Sequence, residues 1–283
     1  MTEHRLRHLG RAVSALFVPG DRDDRFEKAV ASGAHTVIID WEDAVAPADK
    51  ERARDNTLEW LLARSPVAGS LAIRLNASDS DEHAKDLQAL GELLSRLPKQ
   101  VPSILLAKAE TPEEIGAVST IRGIPLEVTA LIESARGLHN ANAIAQASGV
   151  VRLAFGAIDF AVDTGMSLDS DVLGYARSAL VVASRVAGIE SPLDAPEVEI
   201  RDTAVAYESA MTAKRFGFGG KLLIHPAQVA PVHQAFTPNA EEVDWARSII
   251  GSSGGALQID GKMVDKPLVE RARRILEALE EMS

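Results

Sequence analysis

The sequence predicts an α/β fold, a TIM (β/α)8 barrel with a C-terminal helical and hairpin lid extension. Three observations carry this expectation. Short apolar runs bounded by Gly or polar residues recur eight times, and each is followed by a stretch with helical character. The connections are short, so the strands should lie parallel and the helices should be crossovers. Pro19-Gly20-Asp21 follows the first run, where an open dinucleotide-binding sheet would carry a glycine-rich loop. The length of 283 residues fits one barrel of ~250 residues plus a short appendage.

The first strand is Ala15 to Pro19, with a helix from about Arg22 to Ser32. The second is Thr36 to Asp40, running into Trp41-Glu42-Asp43, and a helix covers about Asp49 to Ala63. The third is Leu71 to Asn76, with a helix to about Leu97. The fourth is Ser103 to Lys108, and Thr111-Pro112-Glu113-Glu114 then reads as a capping box with Pro at the first helical position. The fifth strand, Leu126 to Ile132, ends at Glu133, and the sixth, Val150 to Phe155, runs into Gly156-Ala157-Ile158-Asp159. A helix from about Asp171 to Ala187 follows. Ile189 to Asp194 is a weak seventh strand, with a helix from about Glu199 to Phe216, and Lys221 to Pro226 is the eighth. Residues 1–236 would form the barrel, and 237–283 a lid or oligomerisation segment. In that segment a helix runs from Thr237 through Ile250, and Gly251-Ser252-Ser253-Gly254-Gly255 is a hinge. A hairpin turning at Asp260-Gly261 and a final helix opened by Pro267 follow.

Composition narrows the function. Apolar residues make up 46% and aromatics 4%, so the core should be built from Ala, Val, Leu and Ile. A net charge of −11 argues against a nucleic-acid surface. The absence of Cys excludes a thiolate nucleophile, a disulfide and a Cys-bound zinc. No apolar run is long enough to span a membrane. Met1 to Arg11 lacks the apolar stretch of a secretory signal, so a cytoplasmic protein is expected.

In an α/β barrel the chemistry lies at the C-terminal ends of the strands. Glu133 and Asp159 are expected there on consecutive strands, and two carboxylates without a thiol suit a hard cation such as Mg²⁺. Alone, Glu133 would be read as a partner of Arg136 and Asp159 as a helix cap; the matching positions favour a metal pair. Arg74, flanked by Ile73 and Leu75, is costly to bury unpaired, and its fork matches a carboxylate. It is a candidate clamp for a substrate carboxylate. Asp40, Glu42 and Asp43 supply more acids than a metal needs, so some should orient Arg74 or hold water. Lys108 is expected in a salt bridge, with an oxyanion as its alternative partner. His225 is read as a hydrogen-bonded core residue.

Leu16-Phe17-Val18-Pro19-Gly20-Asp21, Ile39-Asp40-Trp41-Glu42-Asp43-Ala44-Val45, Ala130-Leu131-Ile132-Glu133-Ser134, Phe155-Gly156-Ala157-Ile158-Asp159-Phe160 and Ile224-His225-Pro226-Ala227-Gln228 together resemble the citrate lyase beta-subunit family. That family stands with the HpcH/HpaI aldolases and malyl-CoA lyases. The resemblance implies a homotrimer or hexamer, Mg²⁺ and reversible carbon–carbon cleavage of a 3-hydroxyacyl thioester. The products would be a 2-keto acid and an acetyl thioester, carried by CoA or an acyl carrier. It implies Glu133 and Asp159 as metal ligands, Arg74 as the arginine for the substrate carboxylate and Asp265, otherwise read as a helix N-cap before Pro267, as an acid. With Glu42 and Asp43, Arg74 and Asp265 are the candidate catalytic residues. Arg74, Lys108, Gly156 and Ala157 would contact substrate. Asp265 resembles an acid that the malyl-CoA lyase branch supplies from a neighbouring subunit's lid. Trp41 departs from the small or aliphatic residue usual between the two acids and is expected to narrow the mouth. A CoA-independent pyruvate or oxaloacetate aldolase and a non-catalytic keto-acid-binding subunit are the alternative functions.

Overall fold

The structure, a computed structural model, describes residues 8–63, 71–97, 101–251, 258–259, 262–263 and 266–282. Eight parallel strands close into a barrel: β1 (Ser14–Pro19), β2 (Thr36–Asp40), β3 (Leu71–Leu75), β4 (Ser103–Leu106), β5 (Val128–Ile132), β6 (Val150–Phe155), β7 (Glu190–Asp194) and β8 (Gly220–Leu223). Each pairs with the next, and β8 returns to β1, with Ser14 opposite Lys221. Around them lie α1 (Phe26–Val30), α2 (Lys50–Leu62), α3 (His83–Arg96), α4 (Pro112–Val118), α5 (Ala135–His139), α6 (Ala141–Ala145), α7 (Ala157–Thr164), α8 (Gly174–Ala187), α9 (Thr203–Phe216) and α10 (Val229–Phe236). Helices α11 (Ala240–Gly251) and α12 (Lys266–Met282) complete the chain.

Strand alternation sorts the side chains into two cores. One inward residue from each strand forms the barrel interior: Ala15, Ile38, Ala72, Leu105, Leu131, Ala154, Leu193 and Leu222. Leu9 joins this layer, and Arg152 binds the backbone around it, donating to the carbonyls of Leu9, Ala12 and Ser191. Residues of opposite parity, such as Leu16, Ile39, Ile73, Leu106 and Ile132, pack outward in a larger core with helix residues including Leu90, Ile115, Leu180 and Val232. Buried Asp194 is held in its charged form between β7, β8 and α8. Burial opposes that charge, but Lys221 and Arg177 outweigh it and lower the pKa.

Several elements differ from expectation for physical reasons. The helix expected from Arg22 to Ser32 is a 3-10 turn (Asp23–Arg25) followed by α1. A two-stranded ribbon, Thr120–Ile121 with Ile124–Pro125, precedes β5, which therefore begins at Val128. Arg122 and Gly123 both take positive φ at its turn, which a two-residue hairpin connection demands. The Thr111–Glu114 capping box forms as read. His225 is exposed rather than in the core, and its Nδ1 accepts the Ala227 amide to cap a 3-10 turn.

The segment beyond α10 has a small core of its own, in which Ala246, Ile249 and Ala272 meet Trp245, Val269, Ile275 and Leu276. Gln258–Ile259 pairs antiparallel with Lys262–Met263. The turn residues Asp260 and Gly261, the hinge residues 252–255 and Asp265 lie outside the described residues. Among the described residues no helix is long and apolar enough to cross a membrane.

Candidate active site at the C-terminal mouth of the barrel

Two residues beyond the apolar interior layer, the same inward parity brings Phe17, Asp40, Arg74, Glu133 and Gly156 to the mouth. Arg74 is buried, and Asp40 takes its fork: Nε donates to Oδ1 at 2.7 Å and Nη2 to Oδ2 at 2.5 Å. Its Nη1 meets Glu42 Oε2 at 3.0 Å, and its guanidinium carbon lies 4.7 Å from the centre of the Phe17 ring. Burial works against the Arg74 charge, but Asp40 and Glu42 outweigh it, and the pKa rises. Five N–H donors less these three contacts leave two for a ligand.

The turn after β2 is rigidly held. Asp40 accepts the amides of Glu42 and Ala44. Behind the turn, buried Lys50 donates to the carbonyls of Trp41 and Glu42 and to Asn76 Oδ1, at 2.7–2.9 Å. Asn76 in turn donates to Trp41 O and to Asp86, which Arg54 also binds. Trp41 does not narrow the mouth. Its parity is opposite to that of Asp40, so its ring points into the outer core, 1% exposed, and its indole N–H donates to Thr57. Lys50 and Asn76 carry no signal of their own at sequence level, because their role rests on contacts between the connections that follow β2 and β3.

Lys108 forms its salt bridge with Glu42 Oε1, at 2.8 Å, and lies 3.6 Å from Asp43, which is exposed. Burial lowers the Lys108 pKa, but the hydrogen bond and charge of Glu42 more than reverse this, and it rises. Glu133 is 4% exposed. Arg136 pairs with Glu110 rather than with Glu133. The Lys108 amide donates to Glu133 Oε2 at 2.9 Å, and a Cβ at Gly156 would lie 2.3 Å from Glu133 Oε1. Gly156 is thus the floor on which this carboxylate lies. Burial raises the Glu133 pKa to about 8; Arg74 and the Lys108 amide oppose the shift, while Glu42 and Asp159 add to it.

Asp159 is not at a strand end. It sits in the first turn of α7, whose N-cap is Gly156, and it is partly exposed. A carboxylate there is favoured by the helix dipole, and its charge still reaches Glu133. Ala157 is the first residue of α7 and is buried. Among the described residues no three His, Asp or Glu side chains group as a metal site. The pair Glu133 and Asp159 nonetheless suits Mg²⁺, which binds through one or two carboxylates and keeps water or substrate oxygens in its other positions. A cation there would offset the charge that burial disfavours on Glu133.

The model of the HpcH/HpaI aldolase/citrate lyase family matches residues 13–226. The chain belongs to this family. As a member of the HpcH/HpaI aldolase/citrate lyase family it is a lyase. It is 34% identical to a citrate lyase subunit beta-like protein of Mycobacterium tuberculosis, over 92% of this chain and 93% of the relative. It is 30% identical to an L-malyl-CoA/beta-methylmalyl-CoA lyase of Cereibacter sphaeroides, over 95% and 94%. Among solved structures of family members, CitE of M. tuberculosis in complex with magnesium, acetoacetate and coenzyme A superposes with a TM-score of 0.81 at 33% identity. That match covers 96% of this chain and 100% of the other.

Proposed function

We propose that the chain is a Mg²⁺-dependent carbon–carbon lyase that cleaves or forms a 3-hydroxyacyl thioester such as citryl-, malyl- or citramalyl-CoA. The products of cleavage are a 2-keto acid and an acetyl thioester. The observation that carries this reading is the convergence of the Glu133 and Asp159 carboxylates with a pre-oriented Arg74 on one mouth. The solved CitE complexes, whose ligands include magnesium with acetoacetate and coenzyme A, and magnesium with pyruvate, support it.

Glu133 and Asp159 would hold the cation, which when bound supplies a Lewis acid where negative charge develops. The two open N–H groups of Arg74 bind the keto-acid carboxylate. Asp40 fixes the plane of that fork, and Phe17 keeps water from one of its faces. Gly156 and the first amides of α7 at Ala157 and Ile158 leave room and donors for substrate oxygen. Lys108 and Asp43 line the mouth beside them, and Glu42 anchors both Arg74 and Lys108. In cleavage the hydroxyl proton passes to solvent as the carbon–carbon bond breaks, and the acetyl thioester enolate takes one up at carbon from an acid that solvent reprotonates. The overall proton count is unchanged. Asp265 is the proposed proton donor to that carbon. The enzyme would act in the cytoplasm as a homotrimer or hexamer, with residues 237–283 as a lid or subunit contact.

The test is condensation of acetyl-CoA with glyoxylate, pyruvate or oxaloacetate, with and without Mg²⁺. Glu133→Gln and Asp159→Asn should each abolish the Mg²⁺-dependent product while circular dichroism stays unchanged. Full activity of either variant at limiting Mg²⁺ would remove that residue from the metal site. Cleavage of a 4-hydroxy-2-keto acid without any thioester would identify a CoA-independent aldolase, and keto-acid binding without turnover a binding subunit.

A further inference from the structure

Only two non-glycine residues among those described have positive φ: Arg122, at 52°, and Lys108, at 50°. The ribbon turn accounts for Arg122. No hairpin accounts for Lys108, and an L-residue enters the left-handed region only against steric resistance.

The hydrogen bonds along β4 show what happens there. Ile104 donates to the carbonyl of Glu127. Stepping two residues on each parallel strand, Leu106 would donate to Thr129 and Lys108 to Leu131. The carbonyl of Leu131 is instead bound by Ala109, at 3.0 Å. One extra residue therefore enters in the turn at Ala107 and Lys108 that ends β4, a bulge-like insertion just beyond the ladder, and Lys108 is its left-handed position.

The bulge has two results. Ile104 and Leu106 belong to the outer core, so Lys108 in regular register would point toward the helices. The inserted residue swings it over the mouth, where its ammonium reaches Glu42. It also frees the Lys108 amide from the ladder, and that amide binds Glu133 Oε2.

We propose that Lys108 is a positioning residue whose left-handed backbone aims the Glu133 carboxylate through its amide, while its ammonium separately holds Glu42. This rests on reading Glu133 as a Mg²⁺ ligand. The two roles are separable by substitution. Lys108→Met removes the ammonium and keeps an unbranched side chain. Lys108→Gly removes it and relaxes the backbone demand. Lys108→Val adds a β-branch that the left-handed region resists.

Titration calorimetry of Mg²⁺ in the presence of pyruvate compares variants that all lack the ammonium, so they differ only in what the backbone tolerates: Lys108→Met and Lys108→Gly should agree within about twofold. Lys108→Val should bind about tenfold more weakly than either. Equal affinity of the Val and Met variants would overturn the assignment. A second measurement needs no metal and no variant at Lys108. Hydrogen exchange at the Lys108 amide should accelerate at least about tenfold in Glu133→Ala, with the Ala109 amide unchanged. An unchanged Lys108 rate would refute the amide's role even if Lys108→Val failed to fold. If the wild-type protein bound no Mg²⁺, the metal-site reading would fail, and the exchange result would still decide whether Lys108 holds Glu133.

Discussion

A carboxylate as buried as that of Glu133 keeps its charge only where something nearby compensates it. In the metal-free protein its pKa is raised to about 8, from the ordinary value of 4.5. An acid raised on folding adds stability below its unfolded pKa, and that contribution disappears as pH rises through the folded value. The metal-free protein should therefore lose melting temperature between pH 5 and pH 9, and Glu133→Gln should flatten that slope. Mg²⁺ must displace the same proton, so its dissociation constant should fall about tenfold per pH unit on approach to pH 8. Calorimetry in buffers of different ionisation enthalpy would count the released proton, and a pH-independent affinity would contradict the assignment. Gly156→Ala would drive a methyl group into Glu133 Oε1 and should weaken Mg²⁺ about 10–100-fold with the fold intact. Arg74→Lys keeps the charge but cannot satisfy Asp40 at two points while facing a ligand. Pyruvate affinity should fall well beyond tenfold; an unchanged dissociation constant would make Arg74 purely structural.

The connections between elements hold this site together, and there the sequence was legible only in part. Apolar runs flanked by turn residues marked all eight barrel strands, and the spacing of Thr111, Pro112 and Glu114 marked a helix start. Alternation from Ile73 and Leu75 also set Arg74 apart from the outer core. Helix α7 escaped because its N-cap is Gly156, which has no capping side chain, so Asp159 read as a strand end. The inward turn of Lys108 depends on one inserted residue, which leaves no trace in composition or periodicity. Lys50 is invisible for a different reason: a lysine opening a helix is ordinarily solvated, yet this one braces the turn that carries Glu42. Lys50→Met should strand the acceptor Asn76 Oδ1 in a buried place, at about 1–3 kcal/mol, while Glu42 O keeps the Val45 amide and Trp41 O keeps Asn76. Urea denaturation should register that loss, together with weaker keto-acid binding as the turn loosens. Wild-type stability would show that water replaces the ammonium.

At the scale of the whole molecule, the site draws on charge from β2 through the start of α7, and α10 still belongs to the outer core of the barrel. Val232, Ala235 and Phe236 are buried there. Beyond Thr237 the packing changes: among the described residues α11 and α12 share a core with each other and none joins the two barrel cores, while the Lys214–Glu242 ion pair ties α11 to α9. The barrel ought therefore to fold without them. A chain ending at Thr237 should keep its parallel-sheet circular dichroism and bind Mg²⁺ with pyruvate within a few-fold of the full chain. Every proposed ligand, Glu133, Asp159 and Arg74, lies within the retained residues. Thioester condensation and cleavage should be lost, since Asp265 is removed. Asp265→Asn in the full chain should reproduce the loss of turnover while sparing keto-acid binding. If the acid serves a neighbouring subunit, mixed oligomers of Asp265→Asn and Glu133→Gln protomers should regain partial activity, because some sites then combine an intact barrel with an intact lid. No recovery in verified mixed oligomers would confine the lid to its own barrel. Full activity of the Asp265→Asn homo-oligomer would end the proposed proton-donor role.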